Sequence, residues 1–135
     1  MKPLILVIDD NKAIRYLLQT ILSKKYRVVS APDAASAMFF LAEKNFPALI
    51  IADPVLADTP RWSLIEHLSE SAMYKHIPII VLSDADTSEV ESKCIELGVA
   101  ASYRKPFNPV TLMENIDQLV AGDLETANRG SFRLV

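Results

Sequence analysis

Apolar positions along the chain fall into two alternating patterns. Leu4-Ile5-Leu6-Val7-Ile8, Ala48-Leu49-Ile50-Ile51-Ala52 and the run from Ile77 to Leu82 are short, almost wholly apolar and without period-two alternation. Strands read this way when helices cover both faces of a parallel sheet. Tyr26 to Ser30 and Ala100 to Tyr103 are weaker strand candidates. Between these runs the spacing becomes helical. Ile14, Leu17, Leu18, Ile21 and Leu22 form one stripe at i, i+3, i+4, i+7 and i+8, the pattern of a helix with one face on a sheet. Met38, Leu41 and Ala42 begin a second stripe, Leu64, Ile65 and Leu68 a third, and Val90, Cys94 and Leu97 a thinner fourth. The fifth helix has the clearest start. Asn108 can cap free amides and Pro109 sits at the first helical position, ahead of Leu112, Met113, Ile116, Leu119 and Val120.

Five repeats of strand then helix predict an α/β fold, a doubly wound five-stranded parallel sheet with five helices, because right-handed crossovers return each strand in the same direction. The pattern places one domain over residues 1–120 and leaves 121–135 as a C-terminal tail. Phe132, Leu134 and Val135 there read as a frayed terminus.

Composition narrows the function. A chain of 135 residues allows one compact domain. Its net charge of -3 argues against a nucleic-acid or anionic-membrane surface. A single cysteine, Cys94, excludes an internal disulfide and a cysteine-cage zinc site. With only Gly98, Gly122 and Gly130, neither a glycine-rich dinucleotide turn nor a P-loop can be written. The first apolar run stops at Asp9, too short for a signal-peptide core or a membrane span, so a cytoplasmic location is expected.

Open parallel sheets bind ligands beyond the carboxyl ends of their strands. The residues closing the apolar runs are Asp9 and Asp10, Asp53, Ser83 and Lys105. Each alone is an ordinary cap, turn or solvated loop residue. Together they are not ordinary, because three carboxylates on one rim repel one another unless a cation and the lysine neutralise them. Magnesium fits, since it accepts a few carboxylate oxygens and keeps positions open for water and a phosphoryl group. A carboxylate beside such an ion can attack phosphorus and form an aspartyl phosphate.

Asp9-Asp10 after the first strand, Asp53 after the third, Ser83 after the fourth and Lys105-Pro106-Phe107 after the fifth resemble the receiver domain of two-component response regulators, over about Lys2 to Val120. The resemblance implies a flavodoxin-like fold with Asp53 as phosphoacceptor. Asp10 and Asp53 would ligate Mg2+ with the Val55 carbonyl, and Asp9 would assist through water. Lys105 would contact the phosphoryl group, Ser83 would hydrogen-bond it, and the Lys105–Pro106 peptide would be cis. A histidine kinase or histidine phosphotransfer protein would be the donor, and a downstream protein effector would read the change. The chain itself would be a monomer or weak dimer, a signalling domain rather than an enzyme.

The surroundings of Asp53 depart from the family. Ala57 and Arg61 stand where proline and glycine are usual, Pro54 supplies no backbone N–H, and Asp84 follows Ser83 where a small residue is normal. Asp84 is expected to turn toward the rim, where its charge would oppose a phosphoryl donor. Tyr103 lies one residue late for the switch aromatic, whose position is Ser102, and should face the other side of the sheet unless a bulge intervenes. These departures sustain a second reading, a phosphorylation-independent interaction module. A third, an aspartate-nucleophile phosphohydrolase, lacks its second acid: Lys12 and Val55 follow Asp10 and Asp53 at that spacing. His67 and His76 read as surface residues, Trp62 as packing for the third helix, and one of Phe39 and Phe40 as core.

Overall fold

The computed structural model describes residues 1–84, 87–122 and 133–134. Strands β1 (Leu4–Ile8), β2 (Arg27–Ala31), β3 (Leu49–Ala52), β4 (Ile79–Ser83) and β5 (Ala101–Arg104) alternate with helices α1 (Lys12–Leu22), α2 (Ala34–Ala42), α3 (Ser63–Glu70), α4 (Thr87–Leu97) and α5 (Pro109–Ala121). All five units predicted from the apolar pattern form, with β1 as expected and the other strand bounds shifted by at most two residues. The largest shift is at β4. Pro78 has no N–H to give a ladder and Ile77 donates to Tyr74 in a turn, so pairing starts at Ile79.

The sheet runs β2-β1-β3-β4-β5, every pair parallel, with β6 (Arg133–Leu134) added beside β5. This sixth strand differs from the expected frayed terminus, as Arg133 and Leu134 pair with Ala101 and Ser102. The reason is general: the outer edge of β5 presents unpaired N–H and C=O groups that an extended segment can join. Phe132 and Val135 lie outside the described residues. Gly122 ends α5 at φ 79, a left-handed position that favours glycine.

Strand parity sorts the core into two layers. Leu6, Ile8, Ile50, Ala52, Ile79 and Val81 face α2, α3 and α4, whereas Ile5, Val7, Leu49, Ile51, Ile80 and Leu82 face α1 and α5. Both sets are essentially sealed from water, each large side chain contributing about 1.5–3 kcal/mol by burial. Tyr103 joins the α1 and α5 layer, where its hydroxyl donates to the Thr111 carbonyl. It therefore points away from α4, as the unbroken β4–β5 register requires. On the far side of that layer, the Tyr26 hydroxyl and the Lys25 ammonium both bond Asp117 of α5. Burial and then the Asp117 bond push the Tyr26 hydroxyl pKa upward.

Phe39 is 68% exposed while Phe40 packs on the core, and Trp62 is buried at the head of α3. Trp62 holds φ 70, a costly conformation for a bulky residue, and its N–H closes the preceding loop onto the Pro54 carbonyl. Among the described residues no helix is long and apolar enough to cross a membrane.

Candidate functional site

The strand order reverses between β1 and β3, which neighbour each other although β2 separates them in sequence. A crevice opens at such a switch point beyond the strands' carboxyl ends. Asp9 follows β1 directly. Its N–H donates to Ala31, its Oδ1 accepts from Asn11 N–H at 2.9 Å, and its carbonyl accepts from Arg15 at 2.7 Å. Asn11 in turn caps α1 by accepting from Ile14. The acidic turn is thus held by its own helix, with Asp9 buried and Asp10 exposed.

Asp53 follows β3 and its N–H donates to Ile8 at 2.9 Å, so the two acidic strand ends are stitched together. One carboxylate oxygen of Asp53 accepts from Val55 N–H at 2.8 Å and the other from Lys105 Nζ at 2.7 Å. Pro54 supplies no donor, and the next peptide does. Lys105 Nζ also lies 2.7 Å from Asp9 Oδ2, with the lysine side chain 8% exposed. Its placement follows from β5: Lys105 N–H donates to the Ser83 carbonyl, and the Lys105–Pro106 peptide is cis, as the resemblance implies. Ser83 ends β4 fully buried on the same rim.

One carboxylate oxygen from each of Asp9, Asp10 and Asp53 lies within 4.8 Å of the other two. Three carboxylates against one ammonium leave two negative charges uncompensated. Burial raises the Asp53 pKa, and Asp9 adds to the rise, against the opposing pull of Lys105 and the Val55 N–H. Burial pulls Lys105 down, but pairing with the Asp53 and Asp9 carboxylates outweighs it and the net shift is upward. Asp9 Oδ2, buried, has the Lys105 ion pair but accepts no aligned hydrogen bond. This donor set fits a hard divalent cation, which would supply the missing charge and accept oxygen ligands.

Arg61 pairs with Glu89 of α4 at 3.7 Å and, among the described residues, with none of the three carboxylates. Asp84, whose charge is expected to face the rim, is exposed, so water and salt screen it there. A strand-end carboxylate lowers its own cost by staying in water rather than beside Asp9 and Asp53. Asp84→Ala is accordingly expected to change the rate of phosphorylation by acetyl phosphate by less than about threefold at low salt. A unit charge pair roughly 7 Å apart costs only about 0.6 kcal/mol at the dielectric of water, and salt screens it further. A tens-fold acceleration measured by intact mass would return Asp84 to the rim. His67 and His76 are exposed and belong to no metal-binding cluster among the described residues.

Sequence reasoning misses Arg15, the Val55 N–H and Asp58. Asp58 accepts from the α2 amides of Ala34 and Ala35, both at 2.9 Å, which holds its carboxyl pKa below the usual range. The Asn11 cap has a local signal, a polar residue just ahead of an apolar stripe. Asp58 has none, because its partners lie in another helix.

The family model described as response regulator receiver domain matches residues 5–117. Among curated proteins, the chain is 28% identical over 120 residues to the sensor histidine kinase TmoS of Ectopseudomonas mendocina, covering 89% of this chain. It is 27% identical to the two-component response regulator ORR5 of Oryza sativa, covering 79% of this chain and 81% of that protein. It spans only 8% to 12% of the sensor kinases it matches. A crystal structure of a response regulator receiver protein from Pseudomonas putida superposes with a TM-score of 0.78 at 27% identity, covering 87% of this chain and 98% of that one.

Proposed function

The chain belongs to the response regulator receiver domain family, and from that premise we propose that Asp53 accepts a phosphoryl group from the phosphohistidine of a partner kinase or phosphotransfer protein. An Asp53 oxygen bonds to phosphorus while the phosphorus–nitrogen bond breaks, its electron pair returning to the imidazole. The product is an acyl phosphate. Bound Mg2+ would supply positive charge to the phosphoryl oxygens. Asp9, Asp10, Asp53 and the Val55 carbonyl would hold it, Asp9 through water. Lys105 neutralises the buried carboxylates beforehand and then shifts its ammonium to the incoming phosphoryl oxygens. Ser83, at the end of β4, donates its hydroxyl to the same group.

The observation that carries this reading is the lysine ammonium 2.7 Å from both Asp9 and Asp53, with an Asp10 oxygen within 4.8 Å of the same two carboxylates. A purely structural cluster gains nothing from a third acid. The interaction-module reading needs Arg61 or Asp84 to obstruct the site, and Arg61 pairs with Glu89 while Asp84 is exposed to water. The domain occupies residues 1–120, with 121–135 a tail, and works in the cytoplasm as a monomer or weak dimer that switches a protein effector.

The test is incubation with Mg2+ and acetyl phosphate or phosphoramidate, followed by intact mass measurement. One hydroxylamine-labile phosphoryl group is expected, absent when EDTA is added. An unchanged mass with small donors and with a cognate kinase would favour the interaction module instead.

A further inference from the structure

The loop from Pro54 to Trp62 is held at three points. Its ends close through Trp62 N–H on the Pro54 carbonyl at 2.8 Å. Leu56 is buried in the core under α2 and α3. Its tip is tied by Asp58, whose two carboxylate oxygens take one α2 amide each, Ala34 and Ala35 at 2.9 Å. Helix α2 has no acidic residue of its own in its first turn, and its own cap, Asp33, bonds only the Ser36 amide by its side chain. A charge from the phosphoacceptor loop therefore completes the amino terminus of another helix, where anions are favoured.

The consequence lies at Val55, inside the tied loop. Its N–H holds Asp53 at 2.8 Å, and its carbonyl is a proposed ligand of Mg2+. We propose that Asp58 is a positioning residue for the phosphoacceptor site: by holding the loop tip on α2 it orders the Val55 peptide before the cation arrives. The inference rests on the phosphoacceptor reading above. A loop already ordered loses less conformational freedom on binding, which is felt as affinity. Because Leu56 and the Trp62 bond also restrain the loop, loss of the tip contact weakens the site without abolishing it. Linkage makes the coupling reciprocal: a cation that fixes Val55 also tightens the α2 amides.

The measurements are the Mg2+ dissociation constant, read from the fluorescence of Trp62 or by calorimetry, and hydrogen exchange at Ala34 and Ala35. Asp58→Ala is expected to weaken Mg2+ binding about 3- to 10-fold, below the roughly 10- to 100-fold typical of residues directly behind a metal ligand. Asp58→Asn, which keeps one acceptor oxygen of the same reach, should be intermediate. Phosphorylation by acetyl phosphate should slow at low Mg2+ and recover at saturation. In the parent, Mg2+ should slow exchange at Ala34 and Ala35, and in Asp58→Ala it should not. The control is Asp33→Ala, which removes the other cap of the same helix and leaves the loop tied. If it weakens Mg2+ binding as much as Asp58→Ala does, or if Asp58→Ala binds Mg2+ within twofold of the parent, the positioning role is overturned. A parent that binds no Mg2+ at all would instead sink the phosphoacceptor reading, and this inference with it.

Discussion

Asp53→Asn is expected to lose phosphoryl acceptance altogether while keeping the fold, with the rate falling by at least about 10^4-fold, as when an enzyme loses its nucleophile. The single amide oxygen can keep the Val55 N–H bond while Lys105 keeps its pairing with Asp9, but the amide lacks the charge to form an acyl phosphate. Stability should move the other way. Burial raises the Asp53 pKa beyond what Lys105 and Val55 offset, so the ionised form costs stability at neutral pH. The folded parent binds that proton more tightly than the unfolded chain, so it gains stability relative to the mutant as pH falls through the raised value. Without Mg2+ the mutant should therefore be at least as stable as the parent at pH 7, with the difference closing in acid. Intact mass and urea titrations check both parts. A phosphorylated Asp53→Asn protein would move the acceptor to another residue.

The second large effect is expected from Lys105→Met, which keeps the stem and deletes the ammonium. Its loss leaves Asp9 and Asp53 facing each other with side chains only 2% and 7% exposed. Removing one partner of a buried ion pair costs about 3–5 kcal/mol. Water reaches this rim through exposed Asp10, so the lower end applies, on the order of a 10 °C fall in Tm for a chain of this length. Mg2+ should restore much of the loss, and the mutant should bind the ion more tightly than the parent because the competing ammonium is gone. The pH dependence separates this from mere loss of packing. The folded Lys105 pKa is raised because pairing with the Asp53 and Asp9 carboxylates outweighs burial. Its contribution is complete below the ordinary lysine value of about 10.4 and is lost as pH rises through the raised folded value. The gap between parent and mutant should thus be constant at neutral pH and close in alkali. A mutant as stable as the parent in EDTA, binding Mg2+ no better, would show that the ammonium does not balance these carboxylates.

Much of this was legible in the order of residues. Runs such as Leu4–Ile8 and the stripe from Ile14 to Leu22 report their elements directly, because strand and helix periods are local properties of a chain. Once these strands run parallel, Asp9, Asp10, Asp53, Ser83 and Lys105 must share a rim, since they close four strands at the same end. Even the orientation of Tyr103 follows from parity. What the tertiary structure alone decided are contacts between elements whose sequences carry no mark of one another. Asp58 finds Ala34 and Ala35 across 24 and 23 residues, and Arg61 turns to Glu89 on α4. Arg133 and Leu134 join the open edge of β5. Asp84 stays in water. Each of these outcomes depends on a balance of desolvation, charge and open hydrogen-bonding groups that exists only after the chain has packed.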